Sequence, residues 1–381
     1  MTMKTTGKRN TVVIDPGSDT LKAGFAGDDS PTLVCRDLIF KAEGTHSSLN
    51  ERAIKSVDIE LPGHEQCHLT EVHPVANGIV VDWDVMQDIY DKTMTKLEVN
   101  SEEQNVFIAE PPLNPNYMRE KLAEIMFEYL DVQALYLQDT SVLSLLSSGL
   151  TTGTVVESGD STTYTSVVYE GRLIRETIPK TFYAGRSLTY HLSKMISDIK
   201  DKTFTVDPLP YSKAIKEKLV FVSEDYDADL KLAKSTDFYE RIYTLPDGET
   251  IKLNEERLMC GEGLFKPDMF NCNCPGLHLQ VQRTLNLAEA DIRNSACKNI
   301  VLSGGNTMFS GITMRLQIEM NKIFPSGLHV KVKEIPRAER HYAAWSGGSI
   351  MASLSSMDSK WVTRLDYNDH GPAVINKMCK S

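Results

Sequence analysis

The sequence predicts an α/β protein of two similar lobes. Three observations carry this: two strand–turn–strand units of matching pattern lie far apart, a third strand runs into paired glycines and a helix, and amphipathic helices lie between them. Thr11–Ile14 is a short β-branched run ending in Asp15-Pro16-Gly17-Ser18, and a second β-like stretch, Leu21–Ala26, follows. Thr154-Val155-Val156 leads in the same way into Glu157-Ser158-Gly159-Asp160-Ser161, with Tyr164–Tyr169 after it and Gly171 beyond. Each reads as apolar strand, acid, Gly/Ser turn and returning strand, a β-hairpin. One such hairpin per half suggests an internal duplication; two unrelated β-turns are the plainer alternative.

The third element is the apolar stretch Asn299–Leu302, which runs into Ser303-Gly304-Gly305-Asn306 and a helix expected over Met308–Met320. Glycines at a strand-to-helix turn let a ligand approach the backbone and use the helix N-terminal N–H groups. Arg119–Tyr129 places Leu122, Ile125, Met126 and Tyr129 on one helical stripe. Arg186–Ile199 does the same with Leu188, Leu192, Met195, Ile196 and Ile199. Lys41–Glu71 is polar and Gly/Pro-punctuated and reads as a small exposed insertion.

The bulk properties narrow the function. A chain of 381 residues, 41% hydrophobic and 24% charged, holds material for two or three globular domains. The formal charge of −11 argues against sequence-independent nucleic-acid binding, which needs a net basic surface. No apolar run approaches the ~20 residues of a membrane span. The polar, basic start MTMKTTGKRN does not read as a signal peptide. Seven irregularly spaced cysteines point to reduced thiols, in the cytosol or nucleus.

A set of ordered motifs then resembles the actin family. Asp15-Pro16-Gly17-Ser18 with Lys22-Ala23-Gly24-Phe25-Ala26-Gly27-Asp28 is similar to its first phosphate loop. Gly149-Leu150-Thr151-Thr152-Gly153 with Ser158-Gly159-Asp160 is similar to its second. Glu110-Pro111-Pro112-Leu113-Asn114-Pro115, Leu245-Pro246-Asp247-Gly248, Leu302-Ser303-Gly304-Gly305 and Trp345-Ser346-Gly347-Gly348-Ser349-Ile350 also match, so the resemblance runs from about Val12 to Cys379. It implies a two-lobed actin-like ATPase fold, with four subdomains around a nucleotide cleft. The first lobe would be residues 1–147 plus 343–381, with an insertion subdomain over about 37–73. The second would be residues 148–342, with an outer subdomain over about 184–274.

The resemblance also implies ATP or ADP with Mg²⁺ as ligand. Gly17, Ser18, Asp19, Thr20 and Lys22 match the first phosphate loop, and Gly159, Asp160, Ser161 and Thr162 the second. Gly185, Lys216 and Glu217 match residues that contact sugar and base; Gly305, Phe309 and His341 match the remaining base-side contacts. Asp15 and Glu157 match the carboxylates that hold the hydrated cation, which keeps several waters and is held through carboxylates and phosphates.

Departures from the family pattern bear on chemistry. Where the family's first loop ends in glycine, this chain has Asp19, whose charge would lie near phosphate oxygens. The Gln that orients the attacking water is replaced by Thr140, with Gln138 two residues early. The cation-side Asp is Glu157, and the His that relays the water's proton is Tyr164. Water positioning tolerates little error, a 1 Å misplacement costing ~100-fold, so the three changes imply weak or no ATPase activity. Compensation by Glu157 and Tyr164 themselves is the competing reading.

Filament contacts are altered as well. The plug region Asp268-Met269-Phe270-Asn271-Cys272-Asn273-Cys274 replaces apolar positions with Asn, the loop within Lys41–Asn50 is polar, and the chain ends Lys377-Met378-Cys379-Lys380-Ser381. Lost apolar burial, at about 25 cal/mol per Å², implies a poor homopolymer former. Lys4, Lys8 and Arg9 make the N-terminal tail basic, which would not steer a motor that docks on acidic charge. The implied role is an actin-like structural protein of the cytoskeleton, partnered by actin or a cytoskeletal complex, in the cytoplasm with the nucleus as the second possibility. The alternative is a divergent conventional actin that polymerises and hydrolyses ATP.

Other features read as structure. His64, Cys67, His68 and His73, and Cys260 with Cys272 and Cys274, lack zinc-site spacing. Lys213, Lys216 and Lys218 read as a solvated helix face. Ile350, Met351 and Leu354 fit either core packing or a docking groove. Asn77 precedes Gly78 where actins carry a modified His.

Overall fold

A computed structural model describes residues 10–36, 39–42, 69–199, 209–324 and 328–379. The basic tail at Lys4, Lys8 and Arg9, most of the Lys41–Glu71 insertion with His64, Cys67 and His68, and Lys380-Ser381 lie outside the described residues. The chain divides into two compact units, Met1–Leu150 with Tyr342–Ser381, and Thr151–His341. The architecture is mixed α/β throughout.

The first unit is built on six strands in the order Val362–Thr363, Ala134–Asp139, Asn105–Glu110, Thr11–Pro16, Thr20–Phe25, Leu33–Arg36. The second, third and fourth of these run parallel, and Thr11–Pro16 turns back antiparallel onto Thr20–Phe25. Parallel strands covered on both faces read as continuous apolar runs, and Val106–Ala109 and Leu135–Leu137 are buried without alternation. The Ala343–Ala352 helix lies against the Thr140–Ser147 helix and under the sheet, where fully buried Trp345 donates its indole N–H to Val13 O at 3.0 Å. Buried Arg119 ties the chain's end down: its Nε lies 3.0 Å from Glu110 Oε1 and its Nη2 donates to Cys379 O at 2.6 Å.

The second unit repeats the plan. Gly153–Ser158 pairs antiparallel with Thr163–Tyr169 and parallel with Ile300–Ser303, and Arg172–Ile174 and Lys180–Thr181 extend the sheet. Its core gathers Leu188, Leu192, Ile196, Val281, Leu285 and Leu316 from three helices, Gly185–Asp198, Leu277–Leu287 and Ile312–Ile323. The two units thus share a hairpin whose first strand has a parallel neighbour from far along the chain. Among the described residues no helix is long and apolar enough to cross a membrane.

Two helices differ from expectation. The helix expected from Met308 begins at Ile312, because Gly311 sits at φ +83° and Gly305–Thr307 forms only a single 3₁₀ turn. A Cβ on Gly311 would also lie 2.0 Å from Val222 O, so glycine is held there by conformation and space alike. The stripe ending at Tyr129 is broken by a π turn over Ile125–Tyr129, in which Leu130 N donates to Ile125 O at 3.0 Å. The wider turn brings Phe127 into the core and leaves Tyr129 50% exposed. Asn77 and Gly78, both at positive φ (54° and 73°), form the two-residue turn between Val75–Ala76 and Ile79–Val80, the backbone pattern of a type I′ hairpin.

Candidate functional site

The candidate residues fall into two groups, one in each unit. In the first, Asp15 sits near the end of its strand, buried, with Lys22 opposite it in the hairpin register. Lys22 Nζ lies 3.3 Å from Asp15 Oδ2 and donates to Thr20 O at 3.2 Å. Gly17 N closes the turn on Thr20 O at 3.1 Å, and a Cβ on Gly17 would come 2.6 Å from that same oxygen. Ser18 and Asp19 form the half-buried tip, and Thr20 opens the return strand. Thr140 is the first residue of its helix and half-buried. Gln138 is turned back locally: its Oε1 accepts from Asp139 N at 3.0 Å and its Nε2 lies 3.8 Å from Met351 Sδ.

The second group copies the first turn. Gly159 N donates to Thr162 O at 3.0 Å, and Glu157 stands opposite Tyr164 as Asp15 does opposite Lys22. The position that carries an ammonium in the first hairpin therefore carries a phenol in the second. Burial pushes the Tyr164 phenol up to about 12; the nearby Thr162 hydroxyl pulls it down and the Glu157 carboxylate raises it further.

The Gly159–Thr162 turn is braced by the start of the Gly185–Asp198 helix. Gly185 N donates to Gly159 O at 3.0 Å and Arg186 N to Asp160 O at 2.8 Å, while Arg186 Nε and Nη2 reach Asp160 Oδ2 at 2.9 and 2.6 Å. Lys216 is not on a solvated face: it is buried, and its Nζ donates to Gly185 O at 2.7 Å and to Thr189 Oγ1 at 2.8 Å. Burial lowers its pKa, opposed by Cys260, Asp160 and Glu217. Its neighbour Glu217 is exposed.

The Gly304 turn meets the end of the Gly153–Ser158 strand. Gly304 lies at φ +91°, and a Cβ there would be 2.3 Å from Ser158 O. Asn306 Nδ2 donates to Ser158 Oγ at 3.0 Å, and Gly304 N to Arg340 O at 2.7 Å. His341 follows, half-buried, with Nδ1 2.8 Å from Ala338 O. Phe309 lies in the hydrophobic core. Gly159, Asp160, Gly185 and Lys216 are thus joined by direct contacts, and Gly305 sits beside the Gly304–Ser158 approach. Arg186 carries no sequence signal of its own, and the motifs that contain Ser158 and Asn306 do not reveal that the two meet; these contacts span 26 and 148 residues.

The backbone leaves room for a ligand at two of these turns. A Cβ at Gly159 would meet one atom, at 3.9 Å, and a Cβ at exposed Gly305 would meet nothing within 4 Å, so both approaches are open. Gly-rich turns of this kind take anions on backbone N–H groups. Among the described residues no cluster of three or more His, Cys, Asp and Glu could hold a metal ion by itself. Cys260 is buried and Cys272 and Cys274 are half-buried, none in a disulfide.

The two hairpins, the Gly304 turn and the ordered motifs carried by them all lie within the span, residues 6–380, over which the chain matches the family model for actin, and on that match over nearly its whole length the chain belongs to the actin family.

Proposed function

We propose that this chain is an actin-like, adenine-nucleotide-binding structural protein of the cytoskeleton that hydrolyses ATP slowly or not at all. The observation carrying this reading is a contrast: both hairpins keep the same glycine-closed turn, Gly17 N to Thr20 O and Gly159 N to Thr162 O, while the positions the family uses for hydrolysis hold Thr140 at a helix start and Glu157 and Tyr164 paired in the second hairpin. ATP or ADP with Mg²⁺ is the ligand this reading assigns to the Gly17, Ser18, Asp19, Thr20 and Lys22 turn and to the Gly159, Asp160, Ser161 and Thr162 turn. Gly185, Lys216, Glu217, Gly305, Phe309 and His341 would serve sugar and base. Asp15 and Glu157 would hold the hydrated cation, which neutralises phosphate charge.

The weak chemistry follows from side chains. Thr140 is too short to hold a water where a Gln amide would. A phenol at about 12 is protonated at neutral pH and accepts no proton from that water. The chain is a complex subunit or filament-associated protein, cytoplasmic or nuclear, partnered by actin or a cytoskeletal complex and a poor homopolymer former.

Nucleotide extraction and a phosphate-release assay at saturating ATP test this together. The expected result is bound ATP or ADP with turnover ~100-fold or more below that of filamentous actin, raised in the double variant Thr140→Gln, Tyr164→His. Turnover equal to filamentous actin's, with sedimenting polymer, would establish a conventional polymerising ATPase instead. An empty protein whose melting temperature ignores millimolar ATP would remove nucleotide binding altogether. Asp19→Gly is expected to tighten ATP binding roughly fivefold, since two like charges at ~4 Å cost about 1 kcal/mol in water; isothermal titration reads this directly, and unchanged affinity means that the carboxylate does not face the phosphates.

A further inference from the structure

The segment from Pro267 to Gly276 carries two cysteines, Cys272 and Cys274, with one residue between them. Pro267–Phe270 forms one 3₁₀ turn, Asn271 follows in the left-handed region at φ 58°, and Cys272 N donates back to Pro267 O at 3.2 Å. Cys274 N then donates to Cys272 O at 3.0 Å, a three-residue turn that draws the two Cα atoms together. Cα atoms two residues apart in such a turn fall within the span a disulfide bridges. Both side chains are partly accessible and line a cavity of about 620 Å³, together with Lys266, His278 and Arg315. Of the other described cysteines, Cys260, Cys297 and Cys379 are buried and only Cys35 is partly accessible.

Cys272 also has a base beside it. Its Sγ lies 3.8 Å from His191 Nε2 and 3.7 Å from Phe270 O, so among the described residues the imidazole and one carbonyl are the two acceptors within reach of the thiol proton. The imidazole is clamped: it stacks on Phe270 at 4.3 Å and 11°, with Tyr183 and Tyr190 each 5.8 Å away. Burial lowers the pKa of His191, and the Lys194 charge acts in the same direction. A neutral ring protonated on Nδ1 presents the Nε2 lone pair to the thiol.

We propose that Cys272 and Cys274 form a peroxide-sensitive dithiol in which His191 activates Cys272. His191 Nε2 takes the Cys272 proton, and the thiolate attacks one oxygen of a hydroperoxide. The O–O bond breaks, the leaving oxygen departs as hydroxide or alkoxide and takes up a proton, and Cys272 becomes a sulfenic acid. The Cys274 sulfur then displaces the sulfenic oxygen, which leaves as water, and the S–S bond forms. Two thiols and one hydroperoxide give one disulfide, one alcohol or water from the peroxide, and one water. The cavity admits the peroxide, and the disulfide closes the turn that the Cys274 N–H already shapes.

Hydrogen peroxide added to the full-length protein, followed by thiol alkylation and peptide mass spectrometry, tests this. The expected product is an intramolecular Cys272–Cys274 disulfide, reversed by dithiothreitol, with Cys272 lost at least about tenfold faster than Cys35. In Cys274→Ser the sulfenic acid should persist at Cys272 and be captured by dimedone. His191→Phe keeps the stack on Phe270 and removes the proton acceptor, so Cys272 oxidation should slow about tenfold or more. Equal rates at Cys272 and Cys35, or bridges to other cysteines in place of the 272–274 bond, would overturn the proposal. An unchanged rate in His191→Phe would overturn the role given to the imidazole.

Discussion

Arg315→Met is expected to destabilise the second unit by about 3–5 kcal/mol, the usual cost of leaving a buried charge without its partner. Glu262 is fully buried, and its two carboxylate oxygens accept from Arg315 Nη1 and Nη2 at 2.7 and 2.8 Å. The same guanidinium donates to Ser223 O at 2.9 Å and to Glu319 Oε1 at 2.8 Å and lies 4.8 Å over the Phe265 ring. Met fills much of the volume, so the loss isolates charge and hydrogen bonds from packing. Lys266 Nζ, 3.4 Å from Glu262 and partly exposed, is a weak replacement because it must leave water to serve. The pair Arg315→Met, Glu262→Gln should recover a good part of the loss. Urea unfolding of both variants decides: a single-variant cost under about 1 kcal/mol would show that the pair contributes little, and a double variant no better than the single would place the cost in packing.

Gly347→Ala should lower stability although helix propensity alone predicts a gain. Gly347 lies inside the Ala343–Ala352 helix, where Ala is favoured over Gly by roughly 1 kcal/mol. A Cβ there would stand 1.9 Å from Leu143 O and 2.5 Å from Leu143 C, in the backbone of the Thr140–Ser147 helix. Neither atom belongs to a flexible side chain, so the two helices must part. Parting them disturbs Gly348, whose own Cβ space is bounded by Val13 and Phe107, and the indole of Trp345 that is bonded to Val13 O. Overpacking of this kind typically costs about 1–3 kcal/mol, occasionally more, and Val in place of Ala should cost more. Thermal unfolding reads the sign directly: a raised melting temperature for Gly347→Ala would mean that the helices separate at little cost.

The fold was legible where period and turn chemistry are local. Apolar runs ending in an acid and a glycine mark the Thr11–Pro16 and Gly153–Ser158 strands, because short buried β-branched segments have few other uses. The returning strands follow from the Gly17 and Gly159 turns for the same reason. Tyr129 and the Met308 helix start were not legible. A π turn is set by how a helix seats on its neighbours, and Gly311 stops the helix N-terminally through its close approach to Val222, 89 residues away in sequence. Lys216 looks like its neighbours Lys213 and Lys218 in the sequence; only the fold folds it inward onto Gly185 and Thr189.

The same division holds for the candidate residues. The sequence by itself determined the family, the residue types of the Gly17 and Gly159 turns and the identities of Thr140, Glu157 and Tyr164, because each is a matter of identity at a spacing. Only the tertiary structure decided that Arg186 braces Asp160, that Gly304 presses on Ser158, that Gln138 turns back onto Asp139, and that Cys272 meets His191. Those contacts, the Gln138 turn-back aside, join residues tens to well over a hundred positions apart. Their energy is won only after the chain entropy of closing such loops has been spent by the fold as a whole. A one-dimensional pattern has no term for that closure, so chemistry made by packing stays invisible until the chain is folded.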